Sequence, residues 1–487
     1  MTSIKIAQLM QQSGVTFGTS GARGLVENMT DEVCQAYTLG FLSVIRESFT
    51  FSRVALGIDL RPSSPAIAAA CISAIRHLGI NVDYCGALPT PALAYYAQTH
   101  QIPAIMVTGS HIPFDRNGIK FYRPDGEISK RDELAIAETE IDVVLPLVTA
   151  ALPPITSAAV QQYQQRYVDF FPAQVLSGMR IGLYEHSSVA RDMLRELLIQ
   201  LGAEVIGIGR TDKFVPIDTE AVSEEDRQRG LDWAKQYAVD ALLSTDGDAD
   251  RPLIADEQGR WLRGDIVGLL TSRYLGIEQL VLPISCNTAI EACGWFKRVI
   301  RTRIGSPYVI ESMQALNISD GPIAGFEANG GYLLGSTISQ GVQTLVPLPT
   351  RDAVLPMLTL LVAARQQGQA ISTLLEPLPK RYTASDRLRN FPVALGQQLF
   401  AKWTLDAEQI TRWLELECGV LQSLELTDGL RFIFVSDEIV HLRASGNAPE
   451  LRCYCEAASV ERAQFLVAKT LAKLVDIAQK ALRDDFG

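Results

Sequence analysis

Several features that mark whole classes of protein are scarce or missing in this sequence. No stretch approaches the roughly 20 apolar residues needed to span a bilayer, and the start lacks the basic head and long apolar core of a secretory signal. The 44 basic residues are outnumbered by 55 acidic ones, which excludes a basic nucleic-acid footprint for the whole chain. We therefore expect a cytoplasmic protein with neither membranes nor nucleic acids as partners.

The cysteines give no sign of a metal or disulfide framework. There are eight, and they show no repeated C-x-x-C spacing. Cys453 and Cys455 flank one residue, so on a strand they face the same side. Metal binding there would need further ligands that the neighbouring sequence does not offer, so we expect buried free thiols.

What the sequence does contain is an alternation of short apolar runs with helix-length segments. The runs that predict buried strands are Val54–Ile58, Ala104–Val107, Ile181–Tyr184, Val205–Ile208, Ala241–Leu243, Leu280–Ile284 and Ile323–Gly325. The segments that predict helices between them include Pro65–Leu78, Val189–Leu201 and Arg227–Tyr237. This repetition predicts α/β architecture with parallel sheets covered on both faces. At 487 residues the chain is long enough for roughly three domains.

The last hundred or so residues have a different texture. Gly429–Val435, Ile439–Leu442 and Leu451–Cys455 predict short antiparallel strands, and a long amphipathic helix is expected over Val460–Leu482. The tail is therefore expected to be α+β. Proline-rich stretches at Leu152–Ser157 and Glu376–Lys380 are candidate linkers.

An acidic loop follows one of the predicted strands. Asp246, Asp248 and Asp250 alternate with two small residues, and three carboxylates so close repel one another unless a hard cation neutralises them. Magnesium suits such all-oxygen ligands. Arg251 directly after the triad favours a phosphate partner, because guanidinium pairs with phosphate oxygens in a bidentate way.

Two alternatives for this loop stay open at the level of sequence. The acidic spacing also resembles an EF-hand calcium loop, with Glu257 at position twelve, but Arg251 occupies the position of the required glycine. A strand also precedes the loop where an EF-hand has a helix. The other alternative is a solvated acidic turn without any ion.

A serine follows another predicted strand. Ser110 lies between a glycine and a histidine in the segment Thr108–Pro113, but it lacks the G-x-S-x-G pattern of a hydrolase nucleophile. A serine that carries a phosphoryl group next to the cation site fits better. Lys120 could then act as general base on an acceptor hydroxyl if burial near cations favours its neutral form; otherwise it is a surface lysine.

Three further loops are weaker signals by themselves. Phe17–Gly24 is glycine-rich but precedes any evident βαβ unit, so a dinucleotide site is not expected. Arg443–Asn447 combines a cation, a hydroxyl, a flexible backbone and an amide, which are the groups that hold a phosphate monoester. Glu327–Gly330 could present a carboxylate and an amide to sugar hydroxyls. A simple turn would account for either of the last two equally well.

Taken together and in order, these segments resemble the α-D-phosphohexomutase family. The motifs that match are F-G-T-S-G-x-R-G at Phe17–Gly24, T-x-S-H-N-P at Thr108–Pro113 with Ile112 in place of the asparagine, N-G-x-K at Asn117–Lys120, D-G-D-x-D-R at Asp246–Arg251, the sugar loop that begins at Glu327, and the phosphate loop that begins at Arg443. The resemblance covers nearly the whole chain.

The resemblance implies a fold and its domains. It implies three similar α/β domains with mixed, largely parallel sheets and a smaller C-terminal α+β domain around a central cleft. The expected boundaries are 1–152 for the phosphoserine-bearing domain, 153–260 for the metal-binding domain, 261–377 for the sugar-recognition domain and 378–487 for the phosphate-binding domain.

The resemblance also implies a reaction, the reversible movement of phosphate between the 1- and 6-positions of a hexose through phospho-Ser110. The implied metal ligands, for one Mg²⁺ per chain, are the serine phosphate with Asp246, Asp248 and Asp250. The implied catalytic group comprises Ser110, Lys120 as base, Arg23, His111 and Arg251. The implied substrate contacts are Glu327 and Asn329 for sugar hydroxyls, and Arg443, Ser445, Gly446 and Asn447 for the phosphate that is not transferred. A hexose 1,6-bisphosphate is the implied activator, and the chain is expected to be a monomer or a dimer.

Two departures from the family pattern bear on the sugar. Asn329 replaces serine and Gly331 stands where the family usually has histidine; no histidine lies between residues 187 and 440. In the phosphate loop Asn447 and Ala448 replace threonine and glutamate. This combination looks most like bacterial members that act on mannose phosphate in nucleotide-sugar synthesis, which implies phosphomannomutase activity.

Three other functions remain open at the level of sequence. Phosphoglucomutase and phosphoglucosamine mutase activities are the alternatives within the family, and Gly305–Tyr308 is a segment expected to report on the sugar. A non-catalytic sensor that binds a sugar bisphosphate is the alternative from another class, and Gly331 is the residue that keeps it open.

Overall fold

The computed structural model describes residues 3–18, 21–389, 391, 393–405, 407–444 and 450–484. The chain divides into two compact units, the first formed by Met1–Val281 with Gly305–Glu376 and the second by Leu282–Ile304 with Pro377–Gly487. Within the described residues, no helix is both long and apolar enough to cross a membrane.

The first unit begins with a mixed sheet that leads into the serine loop. In chain order the elements of this region are β1 (Ile4–Lys5), α1 (Ile6–Gln12), β2 (Thr16–Phe17), β3 (Ala22–Leu25), α2 (Asp31–Arg46), β4 (Arg53–Ile58), α3 (Ser64–His77), β5 (Asn81–Ala87), α4 (Thr90–His100), β6 (Ala104–Val107), β7 (Arg116–Arg123), β8 (Gly126–Glu127), α5 (Lys130–Ala137) and β9 (Asp142–Val143). The main sheet has the order β2-β3-β7-β6-β4-β5. Strand β4 is parallel to β5 and β6, whereas β7 is antiparallel to β3 and β6.

Local sequence explains why these elements form. The side chain of Thr30 accepts a hydrogen bond from the N–H of Val33 and so caps α2, and Asp31 and Glu32 favour the positive end of its dipole. Helices α2 and α3 pack on each other over a large apolar core. All four residues of β6 are buried, as expected for a strand covered on both faces.

A second sheet carries the acidic loop. Its elements are α6 (Ala158–Phe170), β10 (Arg180–Tyr184), α7 (Arg191–Gln200), β11 (Glu204–Ile208), α8 (Glu224–Tyr237), β12 (Ala241–Thr245) and β13 (Pro252–Ala255). The order is β11-β10-β12-β13, with β10 parallel to β11 and β12, and β13 antiparallel to β12. The acidic loop is the connection from β12 to β13.

A third sheet carries the predicted sugar loop. The elements along this part of the chain are α9 (Gly264–Tyr274), β14 (Gln279–Pro283), α10 (Ala289–Ala292), β15 (Arg298–Thr302), α11 (Ser306–Gln314), β16 (Ile323–Phe326), β17 (Tyr332–Leu334), β18 (Ile338–Gln340), β19 (Gln343–Leu345), β20 (Leu348–Asp352) and α12 (Val354–Gln367). Within the first unit, β14, β16, β17 and β20 are neighbours in that order, with β14 parallel to β16 and the other pairs antiparallel. Strands β18 and β19 form a separate hairpin.

The second unit is built on an antiparallel sheet. Its later elements are β21 (Tyr382–Arg389), α13 (Val393–Leu405), α14 (Glu408–Cys418), β22 (Leu421–Glu425), β23 (Leu430–Phe434), β24 (Ile439–Ala444), β25 (Glu450–Ala457) and α15 (Val460–Asp484). The strand order is β21-β25-β24-β23-β22. Cys453 and Cys455 are buried free thiols on β25, as expected.

The expected fold class is confirmed: three α/β regions with mixed sheets precede a smaller α+β region with an antiparallel sheet. The antiparallel strand β7 was not among the predicted strands, because its sequence mixes charged and apolar residues instead of forming an apolar run. The proposed limits of the four domains stay a prediction.

Candidate active site

Ser110 lies in a strained turn directly after β6. Its φ angle is +53°, in the left-handed region that non-glycine residues rarely adopt. The side chain of Thr108 accepts a hydrogen bond from the N–H of Ser110 at 2.8 Å. The residue is completely buried. Because strain of this kind persists only where the surroundings enforce it, this turn fixes the direction of the Ser110 hydroxyl.

Arg61, which no motif in the sequence marks, enforces this conformation. Its guanidinium donates to the carbonyl oxygens of Ser110 at 3.0 Å, Ile112 at 2.5 Å, Pro113 at 2.8 Å and Arg116 at 2.9 Å. One buried cation thus binds four carbonyls of the serine loop and of the start of β7.

Asp59 and Gly109 complete this arrangement. Asp59 accepts from Arg61 Nε at 3.2 Å and from the hydroxyl of Thr108 at 2.8 Å. A Cβ atom at Gly109 would lie 2.6 Å from Cζ of Arg61, so only glycine fits there. The available signal was an aspartate and an arginine at the end of β4, which is the parallel neighbour of β6.

The acidic loop gathers its three carboxylates as predicted. Asp246, Asp248 and Asp250 are all buried, with one oxygen of each within 4.8 Å of the others. Burial therefore excludes the solvated acidic turn. Burial and the neighbouring Asp248 and Asp250 raise the pKa of Asp246 well above its usual value. Burial also opposes ionisation of Asp250, but Arg351, Lys120 and Arg251 hold its pKa well below the usual range.

These residues fit a hard cation. Oδ1 of Asp248 and Oδ1 of Asp250 are buried and have no hydrogen-bond partner among the residues that the structure describes. Buried carboxylate oxygens without a donor are costly, and a divalent cation would satisfy both. Strand β12 precedes the loop, so the helix of an EF-hand is absent from this position.

The serine loop and the acidic loop meet in space, although they lie far apart in sequence. Ser110 Oγ donates to Asp246 Oδ2 at 2.6 Å. Thr90, at the start of α4, donates to Asp248 Oδ2 at 2.6 Å and through its N–H to the Asp248 carbonyl at 2.9 Å. The first and second sheets therefore hold the hydroxyl and the carboxylates in one buried cluster.

Lys120, on β7, points into the same cluster. Its ammonium donates to Asp248 Oδ2 at 2.6 Å and to Asp250 Oδ2 at 2.7 Å. The side chain is buried, which excludes the alternative of a surface lysine. In this arrangement the lysine neutralises the carboxylates as a cation.

Arg251, His111 and Arg23 also lie in this region. Arg251 Nη1 donates to His111 Nδ1 at 2.7 Å, which requires that this nitrogen carry no proton. Burial, followed by Arg251, lowers the pKa of His111 well below its usual value. Ser110 Oγ is 3.2 Å from the same nitrogen, but its hydrogen bond goes to Asp246, so a Ser–His relay is not formed.

Arg23 is a partly buried cation on β3. Burial, followed by the charges of Arg251 and Arg351, lowers its pKa to about 10, so it stays charged at neutral pH. Its Nε is buried without a hydrogen-bond partner in the described part of the chain. A charged donor in this state is suited to an anion such as a phosphate.

The predicted sugar loop connects β16 to β17. The N–H of Gly331 donates to Asn329 Oδ1 at 2.9 Å, and the N–H of Gly330 donates to the Glu327 carbonyl at 2.9 Å. Thr219, in the connection between β11 and α8, fixes the loop by donating to the Asn329 carbonyl at 2.7 Å. Glu327 and Asn329 are buried.

Arg351 joins the sugar loop to the acidic loop. Its Nε donates to Asp250 Oδ2 at 2.9 Å, and its Nη1 donates to Glu327 Oε2 at 3.2 Å. It lies on β20, which pairs with β17, and no motif in the surrounding sequence marks it. Glu327 thereby belongs to the same charged cluster as the acidic loop.

The predicted phosphate loop is described only at its start. Arg443, at the end of β24 in the second unit, pairs with Asp428 at 2.9 Å. Ser445, Gly446 and Asn447 lie outside the described residues. The predicted phosphate contacts therefore stay a prediction.

Comparison with known families assigns most of the chain. Three family models match, described as phosphoglucomutase/phosphomannomutase alpha/beta/alpha domain I at residues 14–142, domain II at residues 160–259 and domain III at residues 263–382. A protein named phosphomannomutase from Salmonella muenchen is 49% identical over 466 residues, which cover 96% of this chain and 97% of that protein.

Two further similarities extend over the same length. A phosphomannomutase from Sinorhizobium fredii is 42% identical, over 95% of this chain and 99% of that protein. A crystal structure of a phosphoglucomutase/phosphomannomutase family protein from Burkholderia thailandensis has a TM-score of 0.72 at 18% identity, over 95% of this chain and 97% of that chain. At that identity the structural likeness supports the fold alone.

Proposed function

Because this chain belongs to the α-D-phosphohexomutases, the phosphoglucomutase/phosphomannomutase family, we propose that it is a phosphomannomutase that interconverts mannose 1-phosphate and mannose 6-phosphate. The observation that carries the proposal is the contact between Ser110 Oγ and Asp246, 2.6 Å, at the edge of three buried carboxylates. This contact joins a hydroxyl that could carry a phosphoryl group to a candidate cation site, which is what phosphoryl transfer requires.

In the proposed reaction Ser110 gives and takes a phosphoryl group. The bond between Ser110 Oγ and phosphorus breaks as a hexose hydroxyl oxygen bonds to the same phosphorus, which yields a hexose 1,6-bisphosphate. The intermediate then returns its other phosphoryl group to Ser110 and leaves as the isomeric monophosphate. Added bisphosphate would act as activator because it phosphorylates Ser110 directly.

The acceptor hydroxyl must lose a proton, and Lys120 is our candidate for the base. It would act as a neutral amine after giving up its contacts with Asp248 and Asp250. Arg251 and Arg23 would lie against the phosphoryl oxygens as charged donors, and His111 would hold Arg251 through its Nδ1.

The acidic loop fits Mg²⁺. Asp246, Asp248 and Asp250, with an oxygen of the phosphorylated Ser110, would hold the ion. Two of these carboxylates have a buried oxygen without a hydrogen-bond partner in the part of the chain that the structure describes. Bound there, Mg²⁺ would neutralise charge on the phosphoryl oxygens.

The choice of mannose rests on the relatives, since two proteins named phosphomannomutase are 49% and 42% identical over nearly the whole chain. In the proposal, Glu327 and Asn329 orient the sugar hydroxyls, and Arg443, Ser445, Gly446 and Asn447 bind the phosphate that is not transferred. The product would feed nucleotide-sugar synthesis in the cytoplasm.

The proposal is tested by measuring kcat/KM for mannose 1-phosphate, glucose 1-phosphate and glucosamine 1-phosphate. Mg²⁺ and a trace of glucose 1,6-bisphosphate are present in each assay. We expect turnover of mannose 1-phosphate that equals or exceeds that of glucose 1-phosphate. Dominant turnover of glucosamine 1-phosphate would move the chain to amino-sugar metabolism, and no turnover of any of the three would favour the sensor.

A further inference from the structure

The sugar loop has a position without a side chain, and another residue fills it. A Cβ atom added at Gly331 would lie 2.6 Å from Cδ and 2.7 Å from Cγ of Arg351. The aliphatic part of Arg351 therefore covers the backbone of Gly331. Glycine at 331 and arginine at 351 form a matched pair, because any larger residue at 331 would collide with this stem.

The guanidinium at the end of that stem donates hydrogen bonds to residues of the acidic loop, of the sugar loop and of α11. It donates to Asp250 of the acidic loop at 2.9 Å, to Glu327 of the sugar loop at 3.2 Å and to Ser306 Oγ at the start of α11 at 3.0 Å. The side chain is 3% exposed. Burial alone would lower the pKa of Arg351, but Asp250, Glu127 and Glu327 raise it well above its usual value.

Glu127 tightens the same arrangement from the first sheet. It accepts from Ser306 Oγ at 3.1 Å and from the hydroxyl of Thr350, the neighbour of Arg351, at 2.6 Å. Glu127 thus holds Ser306, which binds the guanidinium of Arg351, and Thr350, which precedes Arg351 in the strand. Because the guanidinium is planar and held in this way, it leaves the Glu327 carboxylate little freedom to rotate.

We propose that Arg351 is a positioning residue that fixes the carboxylate of Glu327 toward the hydroxyls of the sugar. The absence of a side chain at Gly331 leaves the space that the stem of Arg351 occupies. The inference rests on the proposed mutase function and deepens it. A fixed carboxylate holds the sugar ring in one pose, so the hydroxyl at C2, which is the only difference between mannose and glucose, always falls at the same place in the site. A mobile carboxylate would let the ring shift and would weaken this discrimination.

A residue with a purely structural role would behave differently when it is replaced. If Arg351 only supported the fold, its loss would lower the thermal midpoint and reduce turnover of mannose and glucose phosphates by the same factor. A positioning residue acts on the sugar, so its loss raises KM more than it lowers kcat and changes the ratio of the two sugars.

The first experiment replaces Arg351 by Met, which keeps the length of the stem and removes the fork. We expect kcat/KM for mannose 1-phosphate to fall about 100-fold, because Glu327 is left buried without its cation, and we expect the ratio of kcat/KM for mannose 1-phosphate to that for glucose 1-phosphate to change. Arg260→Met is the control, since Arg260 likewise forms an ion pair, with Asp256, but its side chain is 55% exposed.

Two further variants keep the test decisive if Arg351→Met does not fold. Arg351→Lys keeps the charge without the fork, and we expect the same shift in sugar preference with a smaller loss of turnover. In a double-mutant cycle, Gly331→His alone should lower kcat/KM at least about tenfold through its collision with Arg351, and the variant that combines Gly331→His with Arg351→Ala should lose less than the product of the two single losses.

Three results would overturn the inference: an unchanged sugar preference in both Arg351→Met and Arg351→Lys, full activity of Arg351→Met, or additive losses in the double variant. If the unaltered enzyme turns over neither mannose nor glucose 1-phosphate, the phosphomannomutase proposal itself fails. Normal turnover by the unaltered enzyme with unaffected Arg351 variants overturns the inference alone.

Discussion

The acidic loop and the sugar loop obtain their charges in different ways. The acidic loop contains three carboxylates and Arg251 within one short stretch, so its charged side chains come from the loop itself. The sugar loop contains Glu327 and Asn329 but no cation of its own. Its cation is Arg351, which arrives from β20 because that strand pairs with β17.

This difference separates two kinds of function. A loop that carries its own charges is expected to serve a step common to all substrates, because the phosphoryl group that it is proposed to bind is the same in each of them. A loop that borrows its charge from another strand is expected to affect how particular substrates are oriented. Substitutions in the two loops should therefore have distinguishable effects on sugar preference.

The largest effect is expected from Asp248→Asn in the acidic loop. Asp248 Oδ2 accepts from Lys120 and Thr90, and its Oδ1 has no hydrogen-bond partner within the described ranges. Loss of one anionic ligand should lower kcat/KM on the order of 1000-fold, equally for mannose and glucose 1-phosphates, and raise the Mg²⁺ concentration needed for half activity. Asp212→Asn, whose side chain is 97% exposed, is the control. A loss confined to one sugar would contradict the common role of this loop.

The next effect concerns stability. The serine loop also depends on a cation from another part of the chain, Arg61, which follows β4. Arg61→Met removes a buried charge that binds Asp59 and four carbonyl oxygens, so we expect the free energy of unfolding to fall by about 3 kcal/mol. Scanning calorimetry of the variant and of Arg260→Met measures the difference. If Arg61→Met unfolds at the same temperature as the unaltered protein, the serine loop does not depend on this residue.

A smaller effect, but one that depends on the sugar, is expected from Glu327→Gln. The amide keeps the shape of the side chain but loses its charge and its ion pair with Arg351. We expect kcat/KM to fall about 30-fold, mainly through KM, with unequal losses for the two sugars. Steady-state kinetics with both sugar phosphates tests this, and equal losses that appear only in kcat would contradict it.

The smallest effect is expected from Asn329→Ser. Asn329 Oδ1 accepts from the N–H of Gly331, and a serine hydroxyl at the same position can accept this hydrogen bond as well. We expect kcat/KM for mannose 1-phosphate to stay within about threefold of the unaltered enzyme. A loss above tenfold would show that the amide contacts the sugar in a way that serine cannot replace.

Much of the fold and of the acidic cluster could be predicted from sequence. Strands such as β4 and β6 are continuous apolar runs, and the rule that ligands lie at the carboxyl ends of parallel strands places Ser110 and the triad near one another. A cation at the triad could also be predicted, because three adjacent carboxylates repel one another unless a cation neutralises them.

Arg61 and Arg351 could not be found in the same way. Each acts on a loop distant in sequence through the pairing of neighbouring strands, β4 with β6 and β20 with β17. Arginines in such positions look like ordinary surface residues until the register is known. The sequence reflects them only indirectly, through Gly109, which leaves room for Arg61, and Gly331, which leaves room for Arg351. Glycine is common in loops because turns use its backbone freedom, so neither glycine points to an arginine by itself.

The central claim is that Ser110 carries the phosphoryl group. The most direct measurement is to incubate the protein with Mg²⁺ and glucose 1,6-bisphosphate labelled with ³²P, and to locate the label by mass spectrometry of the peptides. The account predicts one phosphate on Ser110, with no labelling and no mutase activity in Ser110→Ala. Label on another residue, or full turnover by Ser110→Ala, would contradict it.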